Sequence, residues 1–195
     1  VARRLSASLD QVAGFMECNF GKSGVTPMRL RILNWNIEEP KLTAHRRLEL
    51  LKVIQTQAPD LICLTESPVD FLGSGWYPAS AGLHFSSKVL RKVVLYSKTP
   101  WSYESTHSDR VIPGGRLVHA ITRCGQEELS VFGMCIPWSG SRYPAQKKWA
   151  DHAEYIETLQ PVVAELRSRH TLIVGDFNQR VPSTYVPKKC QEQLR

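Results

Sequence analysis

At 195 residues, with 42% apolar and 22% charged side chains, the chain has the make-up of one globular domain able to bury a core. That excludes a disordered or low-complexity segment, while a formal charge of +7 favours phosphate-rich partners and leaves the fold open. The five cysteines form no CxxC pair and the six histidines no HExxH, which speaks against a zinc site. Odd, widely spaced cysteines, with no secretory pattern and no apolar run of membrane-spanning length, give the expectation of a reducing, cytoplasmic setting and no membrane span.

Residues 1 to 27 stand apart from the rest of the chain. Leu5, Leu9, Val12 and Phe15 are spaced for a short amphipathic helix that Gly21, Gly24 and Pro27 would break. This stretch is read as an N-terminal extension, disordered or a start-site artefact, and residues 28 to 195 as the folded domain. From Met28 to Asn36, Leu30, Ile32 and Trp35 mark a buried strand. Thr43 is placed to cap a helix in which Leu48, Leu51 and Ile54 face the core and Arg46, Arg47, Glu49 and Lys52 face water. Ala58-Pro59-Asp60 ends that helix and opens a strand running to Glu66. A strand–helix–strand unit of this length implies neighbouring strands in one sheet with the helix outside.

Residues 67 to 80, with Gly73, Gly75, Trp76 and Pro78, read as a loop whose aromatics either pack over the core edge or stack on a base or sugar. Lys92 to Ser97 is the next strand, followed by a polar stretch with Pro100 and His107. Arg116 opens a strand directly after Gly114 and Gly115, so its guanidinium can reach the rim that carries Asn36 and Glu66; a surface salt bridge is the alternative. Glu128 to Ile136 returns after a hairpin-like turn at Gly125-Gln126. Tyr143 to His170 is helical, with a core stripe of Trp149, Ile156, Leu159, Val163 and Leu166 and a kink or break at Pro161. The closing run Leu172 to Asn178 is a buried strand with a sharp turn at Gly175. On an extended segment Asp176 and Asn178 point the same way, although a strand ending in Gly-Asp is often only a turn.

The runs Ile32–Glu38, Asp60–Glu66 and Leu172–Asn178 thus all end on polar side chains. Asn36, Glu66 and the Asp176/Asn178 pair make one cluster at the end of a sheet, expensive to bury unless a ligand satisfies it. Strands alternating with two helical regions argue α/β, and consecutive strands between 91 and 136 a partly antiparallel sheet.

In order and spacing as well as in letters, these motifs resemble those of the endonuclease/exonuclease/phosphatase superfamily of DNase I-like proteins, from about Met28 onward. The resemblance implies a two-sheet α/β sandwich of the DNase I-like type. It also implies a divalent-metal-dependent hydrolase of phosphate esters, nuclease-like in kind. On matching positions it implies Glu66 as a ligand for Mg²⁺ or Mn²⁺, and Asn36 as support for the metal's waters or a phosphate oxygen. It further implies Asp176 activating or orienting the attacking water, Asn178 hydrogen-bonding the phosphate, and Arg116 neutralising charge from the opposite rim. The substrate is a phosphate ester, with DNA or RNA favoured by the basic charge and lipid or inositol phosphates anionic as well. A monomer is expected.

Two departures qualify the match. Cys135 stands where many relatives carry a Tyr or His that holds the phosphate, and a thiol is a weak donor. His119 and His152 are candidate substitutes, though a strand His and a helix His are more often structural. The family's later Asp and Ser-Asp-His stretch is not reached before Arg195, and His170 precedes the Asp176 motif. The expectation is therefore a fragment lacking the C-terminal strands of its second sheet. The alternative is a catalytically inactive remnant, or a phosphate-binding scaffold domain that keeps the fold without the chemistry.

Overall fold

The structure, a computed structural model, describes residues 14–20, 28–37, 43–80, 90–105, 115–124, 127–141, 149–164, 170–179, 188 and 192. In chain order its elements are β1 (Gly14–Phe20), β2 (Met28–Asn36), α1 (Ala44–Gln57), β3 (Leu61–Pro68), β4 (Tyr77–Ser80) and β5 (Leu90–Ser97). Next come β6 (Tyr103–Ser105), β7 (Leu117–Cys124), β8 (Glu127–Cys135), α2 (Ala150–Ala164) and β9 (His170–Asp176). The strands form two mixed sheets, in the orders β1-β2-β3-β5-β4 and β6-β7-β8-β9. Each sheet contains one parallel pair, β2 with β3 and β8 with β9, and in each the intervening stretch carries the helix. This is the two-sheet α/β sandwich expected.

Alternation along the strands explains the layering. Ile32, Cys63, Val93 and Leu95 of the first sheet meet Val118, Ala120, Val131, Leu172 and Val174 of the second. The opposite faces carry Leu33, Trp35, Ile62, Leu64, Val94 and Tyr96 under Leu50 and Ile54 of α1, and Leu117, Phe132 and Met134 under Tyr155, Ile156 and Leu159 of α2. The order of layers is helix, sheet, sheet, helix. Between the sheets stands Gly133, on which a Cβ would lie 2.9 Å from both Leu95 and Val93.

Several local expectations change. Phe15 lies in a strand, not a helix: β1 pairs antiparallel with β2 from Gly14↔Asn34 to Phe20↔Met28, so this part of the stretch set apart as an extension belongs to the first sheet. Pairing with an open edge overrides a short local amphipathic pattern; Leu5, Leu9 and Val12 lie outside the described residues. The loop expected over 67–80 contains β4, an edge strand of the first sheet, the kind of strand in which a proline such as Pro78 is found. Trp76 packs partly buried against the core under the Lys98 ammonium, 3.7 Å from the ring centroid. On α1, Thr43 caps as expected, accepting from Arg46 N at 3.2 Å, but the phase differs. Leu50 and Ile54 are buried, Leu48 is exposed, and Arg47 reaches inward to the carbonyls of Asp70 and Phe71. Pro161 lies inside α2 instead of dividing it. Pro161 and Glu157, whose carbonyl loses that donor, are both exposed, so water can replace the missing N–H. Of the longer helix expected, residues 143–148 and 165–169 lie outside the described residues, while Trp149 stands before α2 at φ 67 and His170 opens β9. No described helix is long and apolar enough to cross a membrane.

Candidate functional site

The two strand–helix–strand units deliver their polar residues to one end of the sandwich. Asn36 and Glu66 come from the carboxyl ends of parallel strands in one sheet, and Cys135 and Asp176 from the carboxyl ends of parallel strands in the other. Antiparallel neighbours bring the starts of β5 and β7 to the same end, with Lys92 and Arg116. Crevices beyond the carboxyl ends of parallel strands are where open α/β sheets bind ligands.

Asp176 is the meeting point. Its Oδ2 accepts a hydrogen bond from Asn36 Nδ2 at 3.1 Å, which joins the two sheets, and its Oδ1 accepts one from Asn178 N at 2.9 Å. Just below, Asn34 Nδ2 donates to the Gly175 carbonyl at 2.8 Å, a second polar link across the sandwich. Gly175 is required there, because at φ 140 an added Cβ would fall 1.8 Å from the Met134 carbonyl oxygen.

Asn178 is placed differently from the extended geometry expected. The chain turns after Asp176, Asn178 adopts φ 48, and its Nδ2 donates to the Ile136 carbonyl at 2.8 Å. The side chain therefore ties the end of β9 to the end of β8, while its backbone N–H serves Asp176. An asparagine tolerates this conformation and closes such a turn through the preceding carboxylate.

Arg116 does reach the rim, but as a brace. Its Nη1 donates to the Cys135 carbonyl at 3.0 Å with Cys135 Sγ at 3.7 Å, and its own carbonyl accepts from Cys135 N and the Tyr155 hydroxyl. The thiol of Cys135 is buried, and burial pushes its pKa up to about 12, against the opposing Arg116 charge. At neutral pH it is an uncharged, weak donor. Neither candidate substitute takes over. His119 is buried, stacked on Phe132 at 4.0 Å and hydrogen-bonded to Ser130 Oγ. His152 donates from Nδ1 to the Pro137 carbonyl at 2.7 Å, and burial holds its pKa below the usual 6.5.

Glu66 also has φ 56, a conformation glutamate rarely adopts and one that gathers at functional sites. Its Oε1 lies 2.9 Å from Lys92 Nζ. The donor set suits a hard, water-rich cation. Glu66 offers an anionic oxygen, and the residue before it, Thr65, has a buried Oγ1 lacking a hydrogen-bond partner among the described residues. Those residues contain no group of three or more His, Cys, Asp or Glu able to form an all-protein cage. A Mg²⁺ or Mn²⁺ held by Glu66 and completed by water and phosphate fits this arrangement.

Two residues at the site, Asn34 and Lys92, are not among those the sequence singles out. Asn34 carries the same signal as Asp176 and Asn178, since Asn34 and Asn36 alternate on one strand and share a face. Lys92 has no local signal, because its partner lies on another strand.

A family model described as Endonuclease/Exonuclease/phosphatase family matches residues 33–191. No match is found among curated protein sequences. Among solved structures, D. rerio TDP2 complexed with single strand DNA product is similar at TM-score 0.62, with 12% identity over 76% of this chain and 60% of that one. Staphylococcus aureus beta toxin with bound magnesium ions aligns at TM-score 0.62, with 14% identity over 85% and 70%. The Xenopus laevis APE2 catalytic domain aligns at TM-score 0.61, with 17% identity over 84% and 66%. At these identities the likeness is one of fold, and the chain spans only 60% of the TDP2 structure.

Proposed function

Because the chain belongs to the Endonuclease/Exonuclease/phosphatase family, we propose that its site serves a divalent-metal-dependent phosphodiesterase, nuclease-like in substrate, built on a domain running from Met28 onward with β1 as an added edge strand. The observation that carries this reading is the Asn36–Asp176 hydrogen bond, which fixes a carboxylate at the mouth between the two sheets. With both oxygens held by neutral donors, Asp176 is oriented to accept a proton from an attacking water. Asn178 has a second amide hydrogen for a phosphate oxygen after serving Ile136, and Arg116 has further N–H groups beyond the one spent on Cys135. Glu66 would hold the cation, which when bound supplies positive charge against the phosphate oxygens. A nucleic-acid substrate is supported by the net charge of +7 and by Trp138, 58% exposed on the segment that follows β8 beside Asn178's contact.

The test is turnover of bis(p-nitrophenyl) phosphate and of labelled oligonucleotides with Mg²⁺ or Mn²⁺. Asp176→Asn should lower kcat by about 10²-fold or more while the circular dichroism stays unchanged. Equal turnover by the variant would remove Asp176 from the chemistry.

The buried, uncharged Cys135 favours a second reading, a phosphate-binding domain without turnover. Oligonucleotide binding with no hydrolysis under any divalent cation would select it.

A further inference from the structure

Glu66 is set apart from the strand that carries it. The ladder between β3 and β5 passes from Thr65↔Val93 to Ser67↔Arg91, and Glu66, at φ 56, falls in the gap. The register on either side of that gap puts Lys92 opposite Glu66, with Nζ 2.9 Å from Oε1 and the side chains of Lys92 and Glu66 only 14% and 26% exposed. Sheltered from solvent, this pair is screened less than a surface pair and restricts both partners. Its ammonium already occupies one oxygen of the anion best suited to a divalent cation at this end of the sandwich.

We propose that Lys92 is an internal competitor for Glu66, holding the carboxylate when no divalent cation is bound and weakening the binding of that cation. The inference rests on the reading of Glu66 as the residue that holds the metal. Physically, an ammonium and a divalent ion cannot share one carboxylate without repulsion, and at a few ångströms in a half-sheltered site that repulsion is large. Metal entry at Oε1 therefore requires the ammonium to leave it. Once displaced, Lys92 remains at the same end of the sandwich. Its charge and that of Arg116 both act on the Cys135 thiol, and Cys135 is the ladder partner of Asp176. Lys92 acts as a positioning residue, through Glu66.

The experiment is a titration of the full chain with Mn²⁺, followed by calorimetry and by the paramagnetic resonance of free Mn²⁺, with no substrate present. Lys92→Met and Lys92→Gln should each bind Mn²⁺ about tenfold more tightly than the parent chain, or better. Lys92→Arg, which keeps the ion pair and the fold, should bind no more tightly than the parent. Glu66→Gln should lose the binding. Folded Lys92→Met or Lys92→Gln protein with unchanged or weaker Mn²⁺ affinity overturns the competition, as does tighter binding by Lys92→Arg. Failure of the underlying reading has a different signature: Mn²⁺ binding that survives Glu66→Gln places the metal elsewhere, whatever Lys92 does.

Discussion

Asp176 owes its position to residues that lie far from it in sequence. Asn36 holds one carboxylate oxygen from the opposite sheet, and Asn34 holds the carbonyl of the preceding Gly175 in the same way. Replacing Asn34 by Ala removes the donor and leaves that carbonyl in a part-buried position without it, which should destabilise the fold by about 1–2 kcal/mol in urea unfolding. Gly175→Ala should do more. At φ 140 its Cβ would overlap the Met134 carbonyl oxygen of the neighbouring strand, and backbone cannot swing aside as a flexible side chain can. A loss of about 3 kcal/mol or more is expected, or failure to fold, and an unfolding midpoint matching the parent's would show that the ladder yields more easily than this. The glycine is legible in the sequence as the site of a turn, but the reason for it is not: a cross-strand carbonyl is a tertiary fact. The same limit applies to Lys92, whose role depends on a partner from a different strand, whereas Asn36, Glu66 and Asp176 are legible because each closes an apolar run.

Among the elements, those that can be read from the sequence are the ones whose own residues supply the burial pattern. β2, β3, β5, β7, β8 and β9 carry apolar residues that the sandwich buries on one face or both, so each announces itself. The edge strands β4 and β6 and the paired strand β1 do not, since their structure is completed by a neighbour. The helices show how far periodicity reaches: α1 lies where its spacing puts it, yet Arg47 turns in and Leu48 turns out, because phase depends on the surface below. The end of α1 offers a test. Ala58 caps it in the left-handed conformation (φ 41, ψ 58), exposed to solvent, where a Cβ is strained. Ala58→Gly should stabilise the protein by about 0.5–1 kcal/mol, seen as a raised unfolding midpoint; a lowered midpoint would mean that unfolded-chain entropy outweighs the strain. At the start of α2, His152 gives a pH dependence. Burial favours its neutral form, so the folded pKa is below the unfolded 6.5, and the stabilisation is complete above 6.5 and lost as pH falls through the folded value. Urea midpoints should therefore drop between about pH 7.5 and about pH 5.5, and His152→Gln should flatten that drop. If the slope is the same in the variant, other groups bind the protons.

For the molecule as a whole, the apolar layers hold the two sheets together, and the polar links Asn34–Gly175 and Asn36–Asp176 fix how their ends face one another. What surrounds that mouth decides the substrate, and here the net charge of +7 is the property to exploit. A small phosphodiester meets only the residues at the mouth, and its KM should change little with salt. A nucleic acid extends beyond the mouth, and each additional phosphate it places against a lysine or arginine releases counterions. Its binding should then weaken steeply as salt rises from about 50 mM to about 200 mM, with a log–log slope of about −2 or steeper if three or more phosphates are engaged. Fluorescence anisotropy of a labelled oligonucleotide with Asp176→Asn protein measures that slope without hydrolysis. A slope near that of the small diester would confine recognition to a single phosphate and move the substrate from polymers to headgroups, because a field spread over the whole surface cannot act on a ligand that touches only its centre.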